Sequence, residues 1–352
     1  MPPNLIPRPD VLQVGWGWFQ VLLTVTFTAH ILLMNAMFGG AVVTLLGAAR
    51  PGTGGESVAR DMAGRVPTLV ALAVNAGVAP LLFLQVLYGH LFYTSSILMA
   101  RWWLAIIPVL IVGYYAAYGV YYRYETPLRP LWSLLAVGLL LYVSFMFANN
   151  NTLALRPERW IAGFENPSGA WLNLGEPTLW PRWLHMMVGA VAVGGLFAAL
   201  VQDTRARRGI EGAAAARDWA LRFFTHGSLI QMAAGLWWLM ALREDVMRRF
   251  MGGSPLASAL LVAGIATGVW AVVHAFQKKV RSAALWLVVT VTIMAVMREI
   301  VRIGYLDGVF HPETLTVVPQ VSPLILFLAV FAVGIGCVVY MLKLAFRAAK
   351  EG

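Results

Sequence analysis

Residues 183–201 read WLHMMVGAVAVGGLFAALV, an apolar run that carries no charge and holds one histidine near its start. A helix of about 20 such residues crosses the hydrocarbon core of a bilayer, so the run predicts a membrane-spanning helix. An imidazole inside hydrocarbon is costly unless a partner holds it. This stretch therefore predicts the class of fold and identifies a residue, His185, that needs a partner.

Similar apolar runs recur along the whole chain. Hydrophobic residues make up 60% of its 352 residues and charged residues 12%, with a mean hydropathy of +0.73. We therefore predict an all-α, polytopic membrane protein with about nine transmembrane helices. The predicted spans are 23–46, 66–88, 103–122, 131–148, 183–201, 219–242, 256–276, 283–303 and 322–346.

The loop charges predict an orientation. An odd number of spans puts the termini on opposite sides, and Arg and Lys are denser in the loops that lie inside if the N-terminus is outside. We therefore predict an outer N-terminus, a cytoplasmic C-terminus and an outer loop over residues 149–182. The segment 202–218 is predicted to link two bundles, 1–201 with spans one to five and 202–352 with spans six to nine. We find no sequence repeat of fixed period.

Charge, cysteine and motif content exclude several classes of function. The net charge of +10 lies in short loops and not in a stripe mixed with aromatics, which argues against nucleic-acid binding. Because Cys337 is the single cysteine, any haem would be non-covalent, hence b-type. The N-terminus lacks the pattern of a cleaved signal peptide. The chain has no P-loop, H-E-x-x-H motif or hydrolase elbow.

Histidines are the first candidates for chemistry. Five of the six lie in or at the ends of apolar runs, and the commonest reason for such a pattern is ligation of haem iron: His30, His90, His185, His226 and His274. His185 is the strongest candidate, since Gly189 and Ala192 on its face would leave room for a macrocycle. His30 comes next, with Met34 and Met37 on its face. The alternative for His185 is an imidazole hydrogen-bonded across helices or lying at the interface beside tryptophans, and the alternative for His30 is core packing with a threonine partner such as Thr26.

The other histidines are weaker candidates for haem ligation. His226 and His274 lie at similar predicted inner depth, so they could form a bis-histidine haem site, although His274 also fits a helix C-terminus. His90 could bind haem on the outer side or lie at the interface beside Tyr88 and Tyr93.

The eighth predicted span ends in charges. Arg298 and Arg302 share one helix face, and guanidinium groups match carboxylates such as haem propionates. The alternative is a snorkelling helix end paired with Glu299. Met294 or Met297 would supply a thioether ligand opposite His185. The glycine pairs 39–40 and 194–195 fit close helix packing.

Four patches resemble one family. Residues 181–185 (Pro-Arg-Trp-Leu-His) after a long outer loop, Gly194-Gly195, Asn149-Asn150-Asn151 and Glu165-Asn166-Pro167 resemble the large subunit of cytochrome bd quinol oxidase. The likeness covers nearly the whole chain in helix count and orientation and is specific at these patches. It implies a multi-pass protein of the bacterial cytoplasmic membrane, with His185 as ligand of a low-spin haem b, His30 as ligand of a high-spin haem and Arg298 as a haem contact.

The differences from that family change the predicted function. Its third helix carries glutamates, which the span 103–122 lacks; Ala295 and its neighbours replace an acidic residue, and 256–276 lacks the expected methionine. The long quinol-binding loop shrinks to a few residues around Glu244 and Arg249. The chain thus looks more like the related haem b subunits that pass electrons between membrane quinol and a periplasmic c-type cytochrome. The alternatives are an oxygen-reducing quinol oxidase subunit and a haem-free membrane anchor.

Overall fold

The computed structural model describes residues 6–49, 54–165 and 167–351, with side chains up to residue 347. Within them the regular structure is helical, apart from one isolated bridge between Leu12 and Val317. The helices are α1 Trp16–Ala48, α2 Gly54–Leu98, α3 Ala100–Tyr122, α4 Arg129–Ala154, α5 Trp160–Phe164, α6 Leu179–Arg207, α7 Ala213–Ala241, α8 Glu244–Arg248, α9 Pro255–Phe276, α10 Val280–Leu306 and α11 Val321–Glu351.

Eight of these helices are long and apolar enough to cross a membrane, namely α1 to α4, α6, α9, α10 and α11. The predicted all-α, multi-pass class is therefore confirmed for the described residues. The predicted sixth span, 219–242, is helical as part of α7, but α7 is not among the eight. The count of nine and the orientation of the termini stay predictions.

The helices pack in two similar groups. In the first group α1 packs along α2 and α3 along α4; in the second α6 packs along α7 and α9 along α10. The groups meet where α1 crosses α6. The predicted boundary at residue 201 falls inside α6, which by its contacts belongs with α7 and the second group.

This arrangement reveals an internal repeat that the search for a fixed period missed. In α1 a histidine is followed after eight residues by a glycine pair, His30 and Gly39-Gly40, and α6 repeats the spacing with His185 and Gly194-Gly195. The first glycine of each pair, Gly39 and Gly194, lies at the crossing, whereas Gly40 faces α2 and Gly195 faces α7. A Cβ on Gly39 would lie 2.0 Å from the Ala190 carbonyl oxygen, and a Cβ on Gly194 would lie 2.2 Å from the Gly39 carbonyl carbon. The expectation of close helix packing there is confirmed.

The chain before α1 closes over one end of the bundle, where it pairs with the segment before α11. The Leu12 amide donates to the Thr316 carbonyl at 2.8 Å, and the Val318 amide donates back to Leu12 at 2.7 Å. By contrast, the side chains of α11 are exposed from Val321 to Arg347. This helix therefore stands outside both groups, although the sequence placed it in the second bundle.

Candidate functional site

His185 reaches from α6 to the backbone of α7. Its Nδ1 lies 3.1 Å from the Gln231 carbonyl oxygen, and its ring lies beside Gly235, where an added Cβ would approach Cε1 to 3.0 Å. A carbonyl oxygen can only accept, so Nδ1 carries the proton and Nε2 keeps its lone pair. We find no hydrogen bond to Nε2 among the described residues.

His30 repeats this arrangement in the first group. Its Nδ1 lies 3.0 Å from the Ala73 carbonyl oxygen of α2, and a Cβ on Gly77 would lie 2.8 Å from its Cε1. In each half the glycine follows the accepting residue by four positions, so it occupies the next turn of the partner helix. Histidines that ligate metals usually donate their other ring N–H to such a carbonyl, which fixes the tautomer.

Small residues beside His185 serve helix packing. An added Cβ on Gly189 would lie 2.6 Å from the Gln231 side-chain amide, and Ala192 lies against Gly227, whose added Cβ would meet it at 3.0 Å. The room that the sequence assigned to a macrocycle at Gly189 and Ala192 is therefore filled by α7. Any flat ligand has to lie on another side of the imidazole.

Three arginines lie near one another in this region: Arg182 on α6, and Arg298 and Arg302 on α10. Arg182 is 6% exposed and Arg302 is 3% exposed. The three lie close enough for their charges to interact: the charge of Arg302 acts on Arg182, and the charge of Arg182 acts on Arg298. We call these residues the arginine cluster.

A single carboxylate lies within the arginine cluster. Glu299 accepts from Arg298 at 2.8 Å and forms a closer bond to Arg302. It also accepts from Gln20 of α1 at 3.1 Å. Glu299 was expected as the partner of a snorkelling helix end, but it is itself only 7% exposed.

The cluster is positive and incompletely bonded. Nε of Arg182 and Nη2 of Arg302 are buried without a hydrogen-bond partner in the described part of the chain. The carboxylate of Glu176, which also acts on Arg182, is already paired with Arg156 and Arg159. A buried charge that lacks its partner costs about 3 kcal/mol or more. This environment therefore favours the binding of an added anion.

Sequence reasoning missed Arg182 and the residues that position it. Its Nη1 donates to Asn151 Oδ1 at the end of α4, and its guanidinium carbon lies 5.1 Å from the centre of the Trp238 ring. The Trp238 ring in turn lies 5.7 Å from the His185 ring, and its buried Nε1 has no described partner. Arg182 lies within the quoted 181–185 patch, so its position three residues before the histidine was an available signal.

The asparagine patch ties three segments together. Asn149 Oδ1 accepts from the Asn173 amide at 2.8 Å, and Asn150 Nδ2 donates to Ser96 Oγ at 3.0 Å. With Asn151 on Arg182, each amide therefore serves a different element. Asn166 of the neighbouring patch lies outside the described residues.

Three other histidines make no described contact with His185, His30 or the arginine cluster. His90 on α2 is 8% exposed, its two ring nitrogens are buried without a described partner, and its ring packs 4.4 Å from Phe310. His226 Nδ1 lies 2.7 Å from the Arg222 carbonyl oxygen of its own helix. His274 lies 5.6 Å from the Trp270 ring on α9.

No described contact joins His226 to His274, which were predicted to form a pair. His226 lines a groove formed by α1, α6 and α7, with no lining residue from α9. The inner bis-histidine haem therefore stays a prediction that the described contacts do not favour.

The methionine ligands also stay predictions. Met297 faces α9, since its Sδ lies 3.7 Å from the position of a Cβ on Gly264. Met294 lies one turn earlier on α10 and is partly buried. We find no contact between either sulfur and His185.

The donor set of this region fits a b-type haem. The Nε2 atoms of His185 and His30 have no hydrogen-bond partner among the described residues, and the arginine cluster has unpaired N–H groups that suit carboxylates. Comparisons with protein-family models, with curated proteins and with solved structures found no match to this chain. The likeness to cytochrome bd therefore rests on the sequence patches alone.

Proposed function

We propose that this protein is a haem b membrane subunit of a quinone-linked electron-transfer complex. It would exchange electrons between quinol in the bilayer and a periplasmic c-type cytochrome, and it would cross a bacterial cytoplasmic membrane nine times with its N-terminus outside. The observation that carries the proposal is the repeated imidazole–carbonyl pair beside a buried excess of arginine. A haem-free anchor would also show histidines hydrogen-bonded across helices, but it would not need buried guanidinium groups without a partner beside them.

Each residue has a defined role in this proposal. His185 and His30 present Nε2 to iron, while the Gln231 and Ala73 carbonyls hold the rings in the ligating tautomer. A haem bound there would supply a one-electron carrier. The arginine cluster would bind the propionates, since guanidinium groups pair with carboxylates in bidentate geometry.

Oxygen reduction is less well served by these residues. Glu299 is a buried carboxylate of α10, and hydrogen bonds from Arg298 and Arg302 engage both of its oxygens. Because two guanidinium groups occupy both oxygens, Glu299 is poorly placed to pass a proton to another group.

Haem content tests the proposal. The His185→Ala and His30→Ala variants should each lose one haem equivalent from the purified protein, measured by pyridine haemochrome and a reduced-minus-oxidised spectrum. His311→Ala is the matched control, because His311 is an exposed loop histidine that contacts Asp307. A His185→Ala protein with the full b-type spectrum of the parent would remove the assignment. A colourless parent from haem-replete cells would favour the anchor.

A further inference from the structure

A groove of about 640 Å³ lies between α1, α6 and α7. Its walls are mostly apolar and include Leu46, Val188, Val191 and Ile230. Leu46 is 45% exposed and Ile230 is 58% exposed, so the groove opens on the outer surface of the helix bundle. In a membrane protein that surface faces lipid, and the volume lies within the usual range of small-molecule sites, roughly 300–1,000 Å³.

Two polar side chains interrupt the apolar lining. Arg222 and His226 are four residues apart on α7, so they share one face, and both line the groove. The His226 Nδ1 donates to the Arg222 carbonyl, which leaves Nε2 as an acceptor. We find no ion pair or hydrogen bond to the Arg222 guanidinium among the described residues.

The groove adjoins the proposed haem site. His226 precedes Gln231, whose carbonyl holds His185, by five residues, or about 7.5 Å along a helix axis. On α6, Val188 lines the groove one turn after His185. A molecule beside Val188 would therefore lie about one helical turn from His185 along α6, although His185 itself does not line the groove.

We propose that this groove binds the head group of an isoprenoid quinol. A ring hydroxyl would donate to Nε2 of His226, Arg222 would donate to a ring oxygen, and the isoprenoid tail would follow the apolar walls into the bilayer. The proposal rests on the proposed function for its redox meaning, although the binding itself does not require haem.

The hydrogen-bonding pattern favours quinol over an anionic phospholipid. Nε2 of His226 in this tautomer is an acceptor, and an ionised phosphate diester has no proton to give it. A quinol offers two O–H donors on a flat apolar ring. The unpaired Arg222 alone would suit either molecule, so His226 is the discriminating residue.

Photolabelling with a short-chain azidoquinol tests the proposal on the full-length purified protein. Labelling of peptides from α6 and α7 should be competed by unlabelled decylubiquinol. His226→Leu should reduce this labelling at least tenfold, whereas the control His311→Leu should leave it unchanged. Haem content and elution volume, measured on the same samples, should be those of the parent for both variants.

Several outcomes would overturn the proposal. One is labelling that His226→Leu does not reduce, or that is confined to helices other than α6 and α7. Another is the loss of a haem equivalent in His226→Leu. A third is a co-purified phospholipid that is lost in Arg222→Leu and that quinol does not displace. The labelling is repeated on His185→Ala, in which it should persist because the binding itself does not require haem. Labelling without any haem in the parent would uphold the groove and remove the proposed function, whereas haem without labelling would do the reverse.

Discussion

Single atoms decide how closely α1 and α6 approach. At Gly39 and Gly194 the two backbones are in contact, and the nearest atoms to an added Cβ belong to backbone, not to a side chain that can rotate away. This contact fixes the distance between the two halves and thus the separation of His30 from His185. A change at the crossing should therefore act on both imidazoles together.

Gly39→Ala should destabilise the protein by about 3 kcal/mol or more, because overpacking against rigid backbone forces the helices apart. Gly138→Ala on α4 is the matched control, since nothing lies within 4 Å of its added Cβ and alanine is the better helix former by about 1 kcal/mol. Thermal unfolding in the same detergent compares the two. Equal melting temperatures for both variants would show that the helices do not cross at Gly39.

Arg182→Gln tests the arginine cluster. If propionates or haem lie beside Arg182, loss of its positive charge should lower the midpoint potential, because that charge stabilises the added electron. The expected size is on the order of 59 mV, a tenfold change in a one-electron equilibrium. Redox titration measures it, with Arg101→Gln, an exposed arginine on the same predicted side, as control. An unchanged potential in Arg182→Gln would place the haem elsewhere.

At the scale of the elements, the positions of helices could be predicted from the sequence, but the register between α6 and α7 could not. The span 183–201 lies inside α6, and the predicted end of the second span, residue 88, falls where Tyr88 leaves helical geometry within α2 (φ −130°, ψ 24°). The register of α7 against α6 was not predictable, because it depends on the contact of Gly189 with Gln231 across 42 residues of chain. That register selects the carbonyl for His185.

The short helix α8 is held to the end of α10 by one arginine. Arg243 donates to both oxygens of Asp245 at 2.6 and 2.7 Å and to the Gly304 carbonyl at 2.8 Å. The hydrogen bond from Arg243 lowers the pKa of Asp245 below its ordinary value of 3.8. The short charged loop around Glu244 and Arg249 thus connects α8 to the end of α10.

This clamp predicts a pH dependence. Because the pKa of Asp245 is lowered in the folded state, its stabilisation is present above the ordinary value and is lost as the pH falls through the folded pKa. Asp245→Asn should therefore lower the melting temperature at pH 7, by a small amount because a partly exposed pair contributes less than about 1 kcal/mol, and the difference from the parent should be smaller at pH 3. A constant difference between the two proteins at both pH values would contradict the assignment.

At the scale of the whole molecule, the two halves repeat their helices and histidines but not their charges. The position equivalent to Arg182 in the first half is Phe27, three residues before His30. Arg298 from α10 covers it, with its guanidinium carbon 4.2 Å from the Phe27 ring centre. Each imidazole therefore has an arginine nearby, but from a different helix. Two haems in these sites would have similar ligands and different potentials.

The isolation of α11 gives a prediction for the whole chain. The segment before α11 holds the N-terminal residues through Leu12 and packs Phe310 on His90, whereas α11 itself has only exposed side chains. A chain ending at residue 320 should therefore keep its haem content and unfold within about 0.5 kcal/mol of the parent, as expected for surface changes. The matched control ends at residue 306, and it should lose stability because it also removes both contacts. If the chain ending at 320 is as unstable as that control, α11 packs against the bundle in the membrane.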